Sequence, residues 1–232
     1  MNITPEIEIR GLGLFLKKFN AIVFSDVHLG FEESQKNIHL PLFQWEDVIK
    51  ELEKILHNEK FEMIIINGDL KEEFGRINKE EWRHTTQFLE LCLEHAKKVV
   101  IIKGNHDALL GPVAQKKKIK LLPHLILDDL LICHGNEKME IQKKIKTIII
   151  GHEHPAVTLH DGVRTEKFKC FLKGSYEKRM LIVLPSLFAI NEGTDILQSK
   201  PLSPFLQQDL SRFDCFIAAD TIYEFGKLKK LQ

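Results

Sequence analysis

The chain has 232 residues, 44% of them hydrophobic and 28% charged, as befits a soluble globular protein with a substantial core. Lys plus Arg equals Asp plus Glu at 33 each, so no global field favours a polyanion; indiscriminate coating of nucleic acid is excluded, and a local basic strip is not. No apolar run approaches the ~18 residues of a membrane span. Leu12 to Leu16, broken by Gly13, is too short for the apolar part of a signal peptide. A cytoplasmic location without membrane contact is therefore expected. The four cysteines (Cys92, Cys133, Cys170 and Cys215) contain no CxxC, and buried, reduced thiols are expected of them.

In chain order, Ala21 to Phe24 is an apolar run that reads as a buried strand. After a loop containing Pro41, residues Trp45, Val48, Ile49, Leu52, Ile55 and Leu56 mark one face of a helix. Met63 to Ile66 reads as a strand apolar on both faces, as parallel strands usually are. Asn78 followed by Glu81 suggests an N-cap with its box partner, opening a helix that carries Trp82, Leu89, Leu93 and Ala96 on one face. Val99 to Ile102 is a third strand, and the alternation points to βαβ units. Farther on, Leu125 to Leu127 and Leu130 to Cys133 flank Asp128-Asp129 as a hairpin without the usual glycine. Thr147 to Ile150, Val157 to His160, Lys167 to Leu172 and Met180 to Leu184 follow with little helix between them, which predicts a more antiparallel sheet. Residues 195–212, with Pro201 and Pro204, read as an irregular connection before strands near 214–219 and 221–225. No linker or repeat interrupts the chain, and a single domain over residues 1–232 without a separate cap is expected.

Five polar clusters each follow directly on an apolar run: Asp26 with His28, Gly68-Asp69, Gly104-Asn105-His106-Asp107, His134-Gly135 and Gly151-His152-Glu153-His154. Ligand sites of open α/β sheets lie beyond the carboxyl ends of the strands, so strands running in compatible directions would bring all five to one rim. Asp26 and His28, two residues apart, can share a face of an extended end. The glycines before Asp69, Asn105 and His152 allow close backbone approach and unusual dihedrals. Two Asp, one Asn and four His, without thiolate, suit Mn²⁺, Fe or Zn²⁺ better than a Ca²⁺ or Mg²⁺ cage. Glu153 lies between two of these residues and should point away by alternation. Lys116 to Lys118 with Lys120, and Lys143-Lys144 with Lys146, are basic clusters whose default reading is a solvated face, with phosphate contact as the alternative. His57 and His95, at predicted helix ends, suit surface or capping roles. His39, His84, His124 and His160 have no motif context.

The order D-x-H, GD, GNHD, H, GHxH resembles the calcineurin-like metallophosphoesterase superfamily, from Asp26 to His154. Leu184-Pro185-Ser186 and Gly193-Thr194-Asp195 are similar to the small ICC-like, SbcD-related phosphoesterases of the PdeM-like group. The resemblance implies an α/β (α+β) fold, a four-layer sandwich of two facing mixed β-sheets flanked by helices. It implies that Asp26, His28 and His154 hold one metal, that Asn105, His134 and His152 hold a second, and that Asp69 bridges both. His106 would sit beside the phosphate with Asn105, and Asp107 would orient His106. The implied cofactor is a pair of divalent ions, Mn²⁺ first, with Fe, Zn²⁺ or Ni²⁺ as other fits. The implied reaction is in-line attack of a bridging hydroxide on a phosphate ester.

The chain departs from the family pattern at one place, and three functional readings fit it. Where close relatives often carry a histidine that assists the leaving group, this chain has Lys71-Glu72, and a glutamate there needs a partner, such as Lys71. A phosphodiesterase acting on a nucleotide or nucleic-acid diester is the favoured reading, the nucleic acid not being drawn by bulk charge. A phosphomonoesterase acting on a small metabolite or phosphoprotein is the alternative. The third is a non-catalytic scaffold like the retromer subunit of the superfamily, whose signature would be loss of the motif histidines that this chain keeps. A homo-oligomer is left open.

Overall fold

Short runs of Val, Ile and Leu, side chains that suit a pleated and half-buried surface, pair into two sheets in the computed structural model, which describes residues 1–31, 44–72, 79–107, 109–188, 190 and 192–231. The first sheet has seven strands in sequence order: β1 (Asn2–Thr4), β2 (Ile7–Arg10), β3 (Gly13–Leu16), β4 (Ala21–Phe24), β5 (Met63–Asn67), β6 (Val99–Ile102) and β7 (Lys120–Leu122). β1 to β4 form an antiparallel meander, and β4 to β7 run parallel. Helix α1 (Gln44–Leu56) crosses over from β4 to β5, α2 (Lys79–His95) from β5 to β6, and the short α3 (Gly111–Lys116) precedes β7. The expected cap Asn78 lies outside the described residues, as do Pro41 and His39.

The second sheet is built from β8 (His124–Leu127), β9 (Leu130–Cys133), β10 (Thr147–Ile150), β11 (Pro155–His160), β12 (Thr165–Tyr176), β13 (Arg179–Val183), β14 (Thr194–Asp195), β15 (Asp214–Ala218) and β16 (Ile222–Lys227). The β8–β9 hairpin closes at Asp128, which takes the left-handed conformation (φ 54°) that glycine usually fills. The second sheet is more antiparallel than the first, as expected, but β11 pairs with β14 in parallel and so do β9, β10 and β13 among themselves. Their crossovers contain turns and the β11–β12 hairpin instead of helices, so a missing helical period did not mean reversed direction.

Side-chain alternation sorts the core into three layers. Ile22, Phe24, Ile64, Ile66, Val99 and Ile101 face α1 and α2, where Val48, Leu52, Ile55, Phe88, Leu89 and Cys92 cover them. Their neighbours Val23, Ile65, Val100 and Ile102 face the other sheet, against Ile132, Ile149, Phe171, Ile182 and Phe216. The outer face of the second sheet, with Cys133, Ile150, Cys170 and Val183, is covered by Phe205, Leu206 and Phe213 of the irregular connection. Helices thus flank the first sheet, and a loop layer flanks the second. All four cysteines are buried and unpaired. Among the described residues, no helix is long and apolar enough to cross a membrane.

Phe171 is fully buried between the sheets, whereas Val163 is exposed in the β11–β12 turn. Phe171→Ala should cost roughly 3–5 kcal/mol in denaturant unfolding, by lost transfer energy plus a cavity, and Val163→Ala should cost close to nothing.

Candidate metal centre

The five motifs meet. β4, β5 and β6 lie side by side in parallel, with Phe24 opposite Ile66 and Ile66 opposite Ile101, so the loops after them leave the same edge of the first sheet. The loops after β9 and β10 leave the second sheet at the same rim, for His134 Nε2 lies 3.2 Å from Asp69 Oδ2 across the seam. Backbone bonds lace the loops together. The amides of Asp26 and His28 donate to the carbonyls of Gly68 and Asp69, and those of Leu187 and Phe188 donate to Ser25 and Asp26.

The side chains form two groups. In the first, the carboxylate of fully buried Asp26 lies 3.2 Å from His154 Nε2, and His154 Nε2 lies 3.3 Å from His28 Nε2. Asp26 Oδ2 accepts from the Ser25 hydroxyl (2.5 Å) and the His152 amide (3.0 Å). Its Oδ1 is buried and accepts no hydrogen bond among the described residues. In the second group, His134 Nδ1 donates to the Asn67 carbonyl, which turns Nε2 toward Asp69 Oδ2 and Asn105 Oδ1, each 3.2 Å away. The His152 ring lies 5.0 Å from that of His134. Asp26, His28 and His154 offer ligand atoms within 4.8 Å of one another, and so do Asp69, His134 and His152. A bare buried carboxylate oxygen, facing ring nitrogens, and one imidazole nitrogen set between two oxygens are what a cation would satisfy. The donor set fits divalent metal.

Unusual dihedrals fall on the ligand candidates themselves as well as on remote turns. Asp26, His28, Asp69, His152 and His154 have φ between 46° and 66°, a left-handed region that costs a non-glycine residue roughly 1 kcal/mol or more. Asp26 and His28 therefore reach the site through left-handed turns, and not by sharing a strand face. Close approach is the part the glycines supply: a Cβ on Gly68 or Gly104 would lie 2.1 Å from His134 Nδ1 or Asp69 Oδ1.

Charges are strongly coupled here. Burial pulls the Asp26 carboxyl up, but the imidazoles of His154, His134 and His28 outweigh it and hold it well below the usual carboxylate range. Burial works against charge on His134, yet Asp69 and Asp26 push that ring up to about 9. His152 is pushed down to about 4 by burial and by His134 beside it. The carboxylates thus create a field that calls for positive charge on or between these rings.

His106 stands beside the first group, its ring centroid 5.1 Å from that of His28. Its Nδ1 donates to the Glu72 carbonyl at 2.6 Å, so in the neutral ring Nε2 carries the lone pair. The expected role of Asp107 is corrected. Its two oxygens accept from the Leu70 and Gly104 amides, which leaves the orientation of His106 to Glu72. Lys71 does not pair with Glu72 either; its ammonium is buried without a hydrogen-bond partner among the described residues, and the Glu72 carboxylate reaches His28 instead. Ser25 and Asn67 escaped sequence reading because a serine and an asparagine at strand ends carry no signal of their own. Both basic clusters sit at the far ends of the parallel strands, Lys120 opening β7 and Lys143 to Lys146 preceding β10, away from this rim. His95 caps its own helix through Leu91, as expected of a helix end.

Glu153 points away from the cluster, its carboxylate accepting from the Ser203 amide, and burial pushes its pKa up to about 7. The folded state therefore holds a proton that the unfolded chain gives up near 4.5, and stability falls as pH rises between these values. Glu153→Gln should raise the melting temperature of chelator-treated protein above neutral pH, with the gain vanishing toward pH ~4.5. A pH-independent difference would refute this.

The profile of the calcineurin-like phosphoesterase family matches residues 19–139, just over half of the chain. No curated protein sequence matches it. Among solved structures, the nuclease MPE of Pseudomonas putida superimposes with a TM-score of 0.66 at 18% identity, over 92% of this chain and 91% of that one. Vps29 from Cryptosporidium parvum gives a TM-score of 0.41 at 14% identity, over 89% and 97%. A predicted phosphoesterase from Streptococcus pneumoniae gives 0.34 at 15%, over 89% and 97%. With the profile covering four of the five motifs, the chain belongs to the calcineurin-like phosphoesterase family.

Proposed function

We propose that this protein is a dinuclear metal-dependent phosphodiesterase. The observation that carries the reading is the pair of ligand groups that share one seam, with the bare Asp26 oxygen in the first and the Asp69–His134–Asn105 contacts in the second. Asp26, His28 and His154 would hold one ion; Asn105, His134 and His152 would hold the other. Asp69 would bridge them, and its charge is already felt at both His28 and His134. Mn²⁺ is the favoured ion, on the oxygen-and-imidazole donor set. When bound, such a pair supplies an activated water near neutral pH and neutralises charge on the phosphate.

The chain's own residues do the rest. Asn105 is exposed at the mouth, where its amide can meet a phosphate oxygen. His106, held by the Glu72 carbonyl through Nδ1, takes up and releases its proton at Nε2, the atom on the cluster side, 4.0 Å from Asp69 Oδ2. A proton there would stabilise the phosphoryl oxygens or pass to the leaving oxygen. A diester is favoured over a monoester by the aromatic step beside His28. Phe188, buried, lies 5.5 Å from that ring and Phe31, half-buried, 4.9 Å from Phe188, each pair meeting edge to face, an apolar border suited to the organic group that a diester carries beside its phosphate. The nuclease among its structural neighbours is consistent with such a substrate.

The test is a side-by-side assay of model diester and monoester substrates with Mn²⁺, Zn²⁺ and chelator. Chelator-sensitive diester cleavage is expected, and monoester turnover without diester turnover would overturn the substrate class. His106→Ala should keep both metals and lose ~10²–10⁴-fold in kcat; normal turnover would remove His106 from the reaction. Asp69→Ala should lose or mispair the ions, and metal analysis still finding two tightly held ions would refute the bridge.

A further inference from the structure

Glu72 makes three polar contacts at the edge of the centre. Its amide donates to the Leu29 carbonyl at 3.0 Å, its carbonyl accepts from His106 Nδ1 at 2.6 Å, and its carboxylate Oε2 lies 2.7 Å from His28 Nδ1. The geometry has a simple origin. Beyond the ends of β4 and β5 the chains stay side by side, Leu29 bridging to Lys71 in parallel, and this sets Glu72 against His28. We infer that Glu72 is a positioning residue that fixes two imidazoles at once, His28 through its side chain and His106 through its backbone. The inference rests on the metal-pair reading above.

The two halves of this arrangement differ in kind. A carboxylate on Nδ1–H locks His28 with its Nε2 lone pair turned to His154 and makes that nitrogen a stronger donor, which suits a permanent ligand. A main-chain carbonyl holds the His106 ring through Nδ1 but carries no net charge, and leaves Nε2 turned toward the cluster, 4.0 Å from Asp69 Oδ2. The same pairing answers how a glutamate can stand beside an anionic substrate. The charge of Glu72 is directed at His28, and that imidazole holds the glutamate below its ordinary range even though burial pulls the other way.

The test uses the full chain and its Glu72→Gln, Glu72→Asp and Glu72→Ala variants, titrated with Mn²⁺ against a chelating indicator. Glu72→Gln should weaken one of the two ions by ~10–100-fold while the other binds as in the parent, and raising Mn²⁺ should restore much of the activity lost at limiting metal. Glu72→Asp should fall between parent and Gln, and Glu72→Ala should be weakest. In Zn²⁺-loaded protein, which is diamagnetic, the ¹⁵N-resolved Nδ1–H signal of His28 should shift in the Gln and Ala variants. That of His106 should persist in all three, because its acceptor is main chain. Two ions bound with parental affinity by Glu72→Ala would overturn the inference, as would a fall in kcat at saturating metal with both affinities intact, since that would place Glu72 on the substrate. A parent protein that fails to bind two ions would instead sink the metal-pair reading itself, so the two failures are distinguishable.

Discussion

Two carboxylates, Asp26 and Asp69, are buried at the seam between two sheets, and almost everything at that rim can be traced to their need for positive charge. An unpaired buried carboxylate is among the costliest groups a fold can carry. Here the imidazoles of His28, His134 and His154 surround the pair, and the backbone turns through left-handed dihedrals at five of the seven ligand candidates to bring them there. Strain of this sort persists only where the surroundings over-determine it. The surroundings are the laced loops after β4, β5, β9 and β10, each bonded to its neighbour through the main chain.

The motif acids divide by what they touch. Asp26 and Asp69 face the cluster. Glu72 reaches into it against His28, Asp107 and Glu153 face away from it, and each of these three holds something in place: Glu72 the His28 ring, Asp107 the amides of Leu70 and Gly104, Glu153 the amide of Ser203. Asp107 therefore ties the loop after β5 to the loop after β6, and Glu153 ties the loop after β10 to the connection covering the outer face of the second sheet. A centre made of five separate loops needs such braces, because ligand geometry tolerates only small displacements.

Much of this was legible in the sequence, and for physical reasons. Runs such as Met63 to Ile66 and Val99 to Ile102 are apolar on both faces, which only a strand covered on both sides requires, and a polar cluster just past each run has one natural place to be. The convergence of Asp26, Asp69, Asn105, His134, His152 and His154 followed from that. What escaped has equally definite causes. β1, β2 and β3 are only three or four residues long, and β2 interleaves Glu8 and Arg10 with its apolar positions, so no local pattern rises above that of a loop. The direction of β13 relative to β10 depends on how the β11–β12 hairpin folds back, which no local window contains. The roles of Asp107 and Glu72 were misassigned or left open because adjacency in sequence says nothing about which of several nearby donors a carboxylate will reach.

The two ligand groups do not respect the boundary between the sheets. Asp26 and His28 come from the first and His154 from the second; Asp69 and Asn105 come from the first and His134 and His152 from the second. Neither sheet supplies every member of either group. An ion bound in either group would act as a rivet through the sandwich, and part of its binding energy would appear as resistance to the halves sliding or parting. Metal content and mechanical integrity of the domain would then be one property seen from two sides.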